Sequence, residues 1–311
     1  MISIMFFEVR KLNVSFEEIV DIEKIGEKNH KKLNDILSLA NKVKDIKFAS
    51  EDKEKTLLLC IDFQNDFMEK GELGVPNSHK DVENVTKFIF HHFNHISKIV
   101  YSLDTHMPHQ IFHPIWWKDK DGNHPTSFTI IHADEVKKGK WIPLKEYERS
   151  LEYVENLEKI GKKKLCIWPY HCIEGTFGAS LEGQLANMIY FHSLVRQTEA
   201  KSIVKGQSPV TEMYGIFKPE YDPDYVINKE LLEEISSYDK IFISGEAKSH
   251  CVLESLRQLL EYMNENHHST SKVFVLEDCM SSIPGFEEET EKAFQQLVDT
   301  YNINIVKSTD I

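Results

Sequence analysis

The chain has 311 residues, of which 41% are hydrophobic and 28% charged, a composition typical of a globular protein rather than a disordered chain or a fibre. Its 37 basic and 50 acidic side chains give a formal net charge of −13, which excludes nucleic acid as the main partner because an acidic surface repels phosphate. The longest apolar runs are far shorter than the roughly 20 residues that span a membrane, and the first residues do not resemble a signal peptide. No membrane association is therefore expected, and the short lysine run at 162–164 is interpreted as a solvated turn.

The first 54 residues are predicted to form an N-terminal helical extension. Acidic and basic residues are interspersed throughout this segment, and apolar residues recur at helical spacing at 16–20 and again at 33–43. The charged stretch 50–55 is predicted to lead into the main domain at residues 55–311.

From residue 56 onward, short apolar runs alternate with helical patterns. Near-continuous Leu, Ile and Val strands separated by helices are typical of a parallel sheet covered on both faces. The predicted fold is therefore a three-layer α/β/α sandwich with a mainly parallel sheet of about six strands. The predicted strands are 56–61, 98–103, 164–168, 202–205, 240–244 and 272–276, with a late edge strand at 303–306. The predicted helices are 81–96, 180–194, 228–236, 252–264 and 287–301.

One long segment, residues 107–163, lacks clear periodicity and is rich in His, Trp, Lys and Pro. We interpret it as a long excursion between two strands. In open α/β sheets, functional side chains gather just beyond the carboxyl ends of the strands, so candidate site residues are sought there.

The number and setting of the cysteines predict the cellular compartment. Five cysteines are too few for a disulfide scaffold in a chain of this length, and a reducing cytosol is predicted. Four lie in or beside apolar stretches, where cysteine acts as a small buried hydrophobe: Cys60, Cys166, Cys172 and Cys279. The fifth, Cys251, follows the fifth predicted strand.

Three strand ends carry candidate catalytic residues. Asp62 continues an apolar strand into a loop, where partial desolvation would raise its proton affinity and suit a general base; the alternative is an aspartate that caps the next turn. Lys205 ends another strand, where a lysine usually extends to solvent, but an ammonium beside a thiol would favour the thiolate.

Cys251 falls where a helical pattern begins. Unpaired N–H groups and the helix dipole favour an anion there, so we expect a lowered thiol pKa and donors for an oxyanion. Cysteine with a base is an established nucleophile arrangement, and a packed core cysteine is the alternative. The neighbouring His250 should point away from Cys251, so Asp62 is preferred as the base.

The next candidates suit a divalent metal. Asp104 and His106 are two apart in an extended segment and therefore point to the same side, and His171 follows the third predicted strand. A carboxylate oxygen with imidazole nitrogens suits a divalent ion. The residues alone leave this site open, because other histidines in the excursion compete as ligands: His109, His113, His124 and His132.

Together these segments resemble the nicotinamidase branch of the isochorismatase-like cysteine hydrolases. The similarity covers roughly residues 55–310, and the motifs occur in the order found in that family. The matching segments are 61–67, Asp104-Thr105-His106, 168–172, Lys205-Gly206 with 214–217 after it, and 245–252.

The resemblance implies a covalent mechanism. Asp62 would take the thiol proton of Cys251, and Lys205 would stabilise the thiolate. Cys251 would attack an amide carbonyl, whose oxyanion is held by the N–H groups of Ala247 and Cys251. Ammonia would leave, and water would hydrolyse the thioester. The Glu246–Ala247 peptide is implied to be cis.

The resemblance also implies a metal and a substrate. The ion would be zinc, with manganese or iron as alternatives, and it would bind the pyridine nitrogen of nicotinamide. Its implied ligands are Asp104, His106 and His171, and the implied lining of the ring pocket is Phe67, Trp168 and Tyr214. The expected activity is conversion of nicotinamide to nicotinate and ammonia in NAD salvage in the cytoplasm, with association into a homo-oligomer left open.

The sequence also departs from the family pattern. Glu246 and Lys248 stand where the family usually has an aliphatic residue and threonine, Thr105 replaces a common tryptophan, and the excursion is longer than usual. Two alternatives therefore stay open. One is a related amidase that acts on another small carboxamide, and the other is a non-catalytic relative whose N-terminal helices bind a partner.

Overall fold

The computed structural model describes residues 13–44, 46–160, 163–224 and 226–311. The first twelve residues of the predicted extension and Lys162 of the lysine run lie outside this part of the chain. Among the described residues, no helix is both long and apolar enough to cross a bilayer.

Strands are found from residue 56 to residue 306. In chain order they are β1 (Thr56–Ile61), β2 (Lys98–Asp104), β3 (Trp117–Lys118), β4 (Ile130–Ile131), β5 (Ile142–Pro143), β6 (Leu165–Cys166), β7 (Lys201–Lys205), β8 (Lys240–Gly245), β9 (Val273–Leu276) and β10 (Asn304–Val306). Six of them form one parallel sheet in the order β10-β9-β8-β1-β2-β7.

Helices cover both faces of this sheet. In chain order they are α1 (Phe16–Ile19), α2 (Leu33–Ala40), α3 (Ser78–His91), α4 (Ala133–Lys137), α5 (Tyr147–Ile160), α6 (Gly183–Arg196), α7 (Lys229–Ser236), α8 (Leu253–Glu265) and α9 (Glu287–Tyr301). One π-helical turn, Lys248–Val252, directly precedes α8.

The alternation of side chains along β1 explains the layers. Leu58 and Cys60 pack in the core beneath α3 and α6, whereas Leu57, Leu59 and Ile61 pack on the opposite face beneath α7, α8 and α9. All of β1 is buried, as expected for the centre of a parallel sheet. The predicted three-layer α/β/α sandwich with a parallel sheet of six strands is confirmed.

The prediction of a sheet strand at 164–168 is wrong. Only Leu165–Cys166 is a strand, and it pairs antiparallel with β4 outside the main sheet. The next backbone N–H groups are also satisfied by the excursion, because Ile167 donates to the Thr129 carbonyl (2.9 Å) and Trp168 to that of Phe112 (2.8 Å). An apolar run shows that a segment is buried, but not which neighbour takes its hydrogen bonds.

The excursion is more ordered than its sequence suggests. It contains α4 and α5, which were not predicted. The sequence pattern of α5 is weak because its buried face includes Ser150 and Tyr153 as well as aliphatic residues. Trp116 and Trp117 are fully buried within it, and the indole of Trp116 donates to the Ser150 hydroxyl (3.0 Å). The excursion therefore packs as a cover next to the strand ends.

The N-terminal helices pack on the main body. Ile19 of α1 and Ile36 of α2 are buried in the same core as α3 and α6. The fully buried Arg196 at the end of α6 forms an ion pair with Asp52 (2.5 Å). The described part of the extension therefore shares a hydrophobic core with the sheet, and its boundary at residue 54 stays a prediction.

Candidate functional site

Four neighbouring strands carry the candidate site at their carboxyl ends. Asp62 follows β1, Asp104 ends β2, Lys205 ends β7, and Cys251 lies in the π-helical turn after β8. The strands β8, β1, β2 and β7 lie side by side although they are far apart in sequence. The sheet order therefore brings the predicted catalytic side chains together.

Lys205 lies at the centre of this arrangement. Its Nζ is 3.0 Å from Asp62 Oδ2, 2.9 Å from Asp104 Oδ1 and 3.7 Å from Cys251 Sγ, and it donates to the Met213 carbonyl (3.0 Å). Burial lowers the pKa of Lys205, but the two carboxylates outweigh burial and raise this pKa well above its usual value. The side chain is therefore a fixed ammonium.

Asp62 is held in an unusual backbone conformation. Its φ is +48°, in the left-handed region that aspartate tolerates better than most residues. Oδ1 accepts a hydrogen bond from the Ser102 hydroxyl (2.6 Å), so Oδ2 faces Lys205 and Cys251. Burial raises the pKa of Asp62, with Lys205 opposing. This carboxylate is therefore fixed on one side and able to accept a proton on the other.

Cys251 lies within reach of both groups. A carboxylate oxygen of Asp62, one of Asp104 and Cys251 Sγ all lie within 4.8 Å of one another. The expected fall in the thiol pKa is contradicted, because burial raises the pKa of Cys251 well above its usual value although Lys205 opposes that rise. The resting group is a thiol with a neighbouring base, rather than a free thiolate.

Asp104, His106 and His171 converge beside these residues. Asp104 Oδ2 lies 2.9 Å from His106 Nε2 and 3.9 Å from His171 Nε2, and all three side chains are buried. The Nδ1 atoms of the two rings lie within hydrogen-bond distance of backbone carbonyls, those of Gly206 (3.1 Å) and Pro169 (2.8 Å). A carbonyl oxygen can only accept, so Nδ1 of each ring is the donor, and Nε2 of each ring faces the shared carboxylate.

This donor set fits a divalent metal. Two imidazole nitrogens and one carboxylate oxygen with room for further ligands are typical of sites for zinc, iron or manganese. Burial, followed by the neighbouring His106, lowers the pKa of His171 to about 3, so this ring is neutral as metal binding requires. Asp104 links the metal-ligand candidates to the catalytic candidates, because its other oxygen pairs with Lys205.

The competing histidines of the excursion do not join this group. His113 is buried nearby, with its ring centre 5.9 Å from that of His106, but its ring nitrogens are not among the ligand atoms that lie within 4.8 Å of one another. His124 pairs with the Trp117 carbonyl (2.6 Å) and His132 with Glu158 (3.2 Å). Within the described ranges, the groupings close enough to hold an ion are Asp104-His106-His171 and the Asp62-Asp104-Cys251 group, which already surrounds the Lys205 ammonium.

Gly206, directly after Lys205, occupies a position that requires glycine. Its φ is +78°, and a Cβ at this position would lie 2.4 Å from Asp104 Oδ1 and 2.8 Å from His106 Cε1. Any side chain would therefore push the two ligands out of place as well as strain the backbone. Lys205 therefore positions the catalytic candidates, and Gly206 leaves space for the metal-ligand candidates.

A pocket opens in front of Cys251. The three predicted ring-binding residues, Phe67, Trp168 and Tyr214, line it together with Ala247. The Glu246–Ala247 peptide is cis, as the resemblance implied. The pocket wall is thus largely aromatic, with the nucleophile candidate and the three metal-ligand candidates on one side.

Glu212 also lines this pocket and was missed by sequence reasoning. Its Oε1 accepts hydrogen bonds from the Trp168 indole (3.1 Å) and the Tyr214 hydroxyl (2.5 Å), and its Oε2 accepts one from the Tyr153 hydroxyl (3.0 Å). Burial raises the pKa of Glu212. The available signal was its position two residues before Tyr214, a predicted residue of the ring pocket.

The two polar departures beside the nucleophile do not enter the pocket. Glu246 is fully buried behind it, where Oε2 accepts a hydrogen bond from the Ser281 N–H (3.4 Å). Lys248 lies over the Phe294 ring, away from the pocket, and pairs with Glu291 (2.5 Å). The pocket lining therefore keeps its aromatic character despite these substitutions.

Comparison with known proteins identifies the fold through solved structures. No protein-family model and no curated protein sequence matches the chain. Solved structures do match. The yeast nicotinamidase Pnc1p bound to the inhibitor nicotinaldehyde is 21% identical with a TM-score of 0.56, and the similarity covers 81% of this chain and 99% of that one.

Two further structures are similar over most of their length. The Acinetobacter baumanii nicotinamidase pyrazinamidase is 20% identical, with a TM-score of 0.56 and coverage of 84% of this chain and 99% of that one. The L. infantum PnC1 in complex with nicotinate is 18% identical, with a TM-score of 0.50 and coverage of 86% and 97%. The chain therefore has the isochorismatase-like fold of the solved nicotinamidases.

Proposed function

We propose that this protein is an amide hydrolase with Cys251 as its nucleophile. The observation that carries the proposal is the convergence of Asp62, Lys205 and Cys251 at one end of an aromatic pocket. The ammonium lies 3.0 Å from the carboxylate and 3.7 Å from the sulfur. A base, a fixed positive charge and a thiol in contact are the parts that covalent acyl transfer needs.

The reaction proceeds in two halves. Asp62 takes the proton of Cys251 as the sulfur attacks the amide carbon, and the N–H groups of Ala247 and Cys251 hold the oxyanion. The proton passes from Asp62 to the leaving nitrogen, the C–N bond breaks, and ammonia departs. Asp62 then takes a proton from water, the hydroxide attacks the thioester, the C–S bond breaks, and the thiolate regains the proton.

The electrostatics favour this coupled transfer. Burial raises the pKa of Cys251, so an isolated thiolate would be costly and the proton must move as the new bond forms. Lys205 stays cationic throughout and compensates the negative charge on Asp62 before the transfer and on the sulfur during it.

A divalent ion would be held by Asp104, His106 and His171 beside the pocket. When bound, it would supply a Lewis acid that orients a ring nitrogen of the substrate. Zinc is the first candidate, with manganese and iron as alternatives. The chain itself fixes the ligands, through the carbonyls that hold the two imidazoles and through Lys205, which holds the other oxygen of Asp104.

Nicotinamide is the proposed substrate, and the reaction would serve NAD salvage. Support comes from the aromatic lining by Phe67, Trp168 and Tyr214, which suits a flat ring. It also comes from the ligands named for similar folds, nicotinaldehyde on the yeast protein and nicotinate on the L. infantum protein.

Release of ammonia from a panel of small carboxamides tests the proposal. We expect turnover of nicotinamide, abolished in Cys251→Ala. The matched control is Cys166→Ala, which removes a cysteine that does not line the pocket and should leave the rate unchanged. Turnover of another carboxamide but not nicotinamide would support the related amidase, and full activity of Cys251→Ala would overturn covalent catalysis.

A further inference from the structure

A second pair of acids is buried behind the nucleophile loop, defined here as residues 245–252. Glu246 follows β8 and is fully buried, and Asp81 in the first turns of α3 is 4% exposed. The two side chains are hydrogen-bonded to each other. Asp81 Oδ2 and Glu246 Oε1 are both out of contact with solvent, and neither oxygen accepts a hydrogen bond from an N–H or hydroxyl group of another described residue.

Two carboxyl oxygens in contact need a proton between them. Two carboxylates side by side in a buried site repel each other, so one of the pair keeps its proton and donates it to the other. The nearby groups do not replace that proton. Ser281 donates its N–H to Glu246 Oε2 (3.4 Å) and its hydroxyl to Asp81.

The charged neighbours leave the pair short of positive charge. Lys248 is the nearest cation, and its ammonium is paired with Glu291 (2.5 Å). Asp278 adds a further negative charge, although its carboxylate accepts hydrogen bonds from Ser308 (2.7 Å). The thiol of Cys279 lies against Asp278, and burial keeps the pKa of that thiol well above its usual value, so it stays neutral.

We propose that Asp81 and Glu246 share one proton and that this hydrogen bond holds the nucleophile loop against α3. Glu246 is joined directly to Ala247, and the loop has two other anchors. The Glu246 N–H donates to the Ile61 carbonyl (2.8 Å), and the Lys248 N–H donates to the Ser281 carbonyl (2.8 Å). Loss of the shared proton would place two negative charges together and drive Glu246 from its site. Glu246 is therefore a positioning residue that acts through Ala247 and Cys251.

The inference gives stability a defined pH dependence. Burial raises the pKa of Asp81 to about 6 and that of Glu246 well above its usual value. An acid with a raised pKa in the folded state contributes stability that is complete below its unfolded pKa and is lost as the pH rises through the folded pKa. The wild-type protein should therefore lose stability on the alkaline side, and a variant without the shared proton should lose less.

Thermal unfolding of the full chain between pH 5 and pH 9 tests this directly. In Glu246→Gln the side-chain amide donates a hydrogen bond to Asp81, and this amide does not titrate. In Asp81→Asn the asparagine amide donates to Glu246 instead. We expect the wild-type Tm to fall by about 3 °C or more relative to either variant between pH 6 and pH 9. Glu288→Gln, which removes only the exposed partner of Lys292, should follow the wild type.

If Tm changes equally with pH in the wild type and in both variants, the proposal of a shared proton is wrong. If Glu246→Gln does not fold, Asp81→Asn measures the same pair. The alkaline limb of ammonia release should also move to higher pH in Glu246→Gln, a readout that rests on the proposed function. Absence of ammonia release in every protein would count against that function alone, because the unfolding curves still decide the pair.

Discussion

At the scale of single residues, the account depends most on Lys205. This ammonium is fully buried and forms ion pairs with both Asp62 and Asp104. Its removal leaves two carboxylates in a site without solvent. Breaking a buried ion pair by removing one partner costs about 3 to 5 kcal/mol, more than the loss of a typical surface contact.

Lys205→Met should therefore destabilise the protein as well as inactivate it. We expect the free energy of unfolding to fall by about 3 to 5 kcal/mol at pH 7, measured with urea. The loss should be smaller at pH 4, because burial raises the pKa of Asp62 and this carboxylate then becomes neutral by protonation. Lys292→Met is the matched control, since Lys292 is exposed, and equal effects of the two substitutions would contradict the buried ammonium.

The sequence predicted the location of residues that follow a strand end, whereas their roles stay predictions. Asp62, Asp104 and Lys205 could be placed because each ends a recognisable apolar run, and Cys251 because a helical pattern follows it. Glu212 could not be placed, because its importance comes from three donors that converge from separate segments. The pKa of Cys251 was mispredicted because burial depends on the whole fold rather than on the start of one helix.

At the scale of elements, the loop after β7 connects the sheet to the metal-ligand candidates. Gly206 turns the chain with φ +78° directly against Asp104 and His106. The segment 164–168, predicted as a strand, shows that a site residue need not follow a strand of the main sheet. It lies outside the main sheet, and His171 still reaches the site because the excursion positions it. Local apolar pattern predicted which segments are buried, but strand order and pairing partner required the structure.

Gly206→Ala should weaken metal binding and also lower stability, because alanine is strained at this positive φ. The added Cβ would lie 2.4 Å from Asp104 Oδ1, so the ligands must shift. We expect the affinity for added zinc, measured by calorimetry, to fall by at least about tenfold, as for loss of a supporting contact to a metal ligand. Gly139→Ala is the matched control, because Gly139 has φ +69° and nothing within 4 Å of the added atom. Unchanged zinc affinity in Gly206→Ala would contradict the assigned ligands.

At the scale of the whole molecule, the N-terminal helices and the sheet share one core. Ile36 of α2 is 1% exposed, whereas its neighbour Leu37 is 41% exposed. The described part of the extension is thus packed on α6, and it contributes to the stability of the fold whatever else it binds.

Ile36→Ala should lower the stability of the entire protein. Truncation of a buried isoleucine costs about 2 to 5 kcal/mol, whereas Leu37→Ala on the exposed side of the same helix should cost less than about 1 kcal/mol. Both are measured by urea unfolding followed through tryptophan fluorescence. The tryptophans lie at or beyond residue 116, so a transition that is identical in Ile36→Ala and the wild type would show that the extension folds separately from the sheet.

The central claim is that Cys251 becomes acylated when the protein hydrolyses its amide. Its most direct test is acid quenching of the protein during turnover of nicotinamide, followed by mass spectrometry of the peptide that contains Cys251. The account predicts a nicotinoyl adduct on that cysteine, absent in Cys251→Ala and formed more slowly in Asp62→Asn. Sustained ammonia release with no adduct on Cys251 at any quench time, or an adduct on another cysteine, would contradict it.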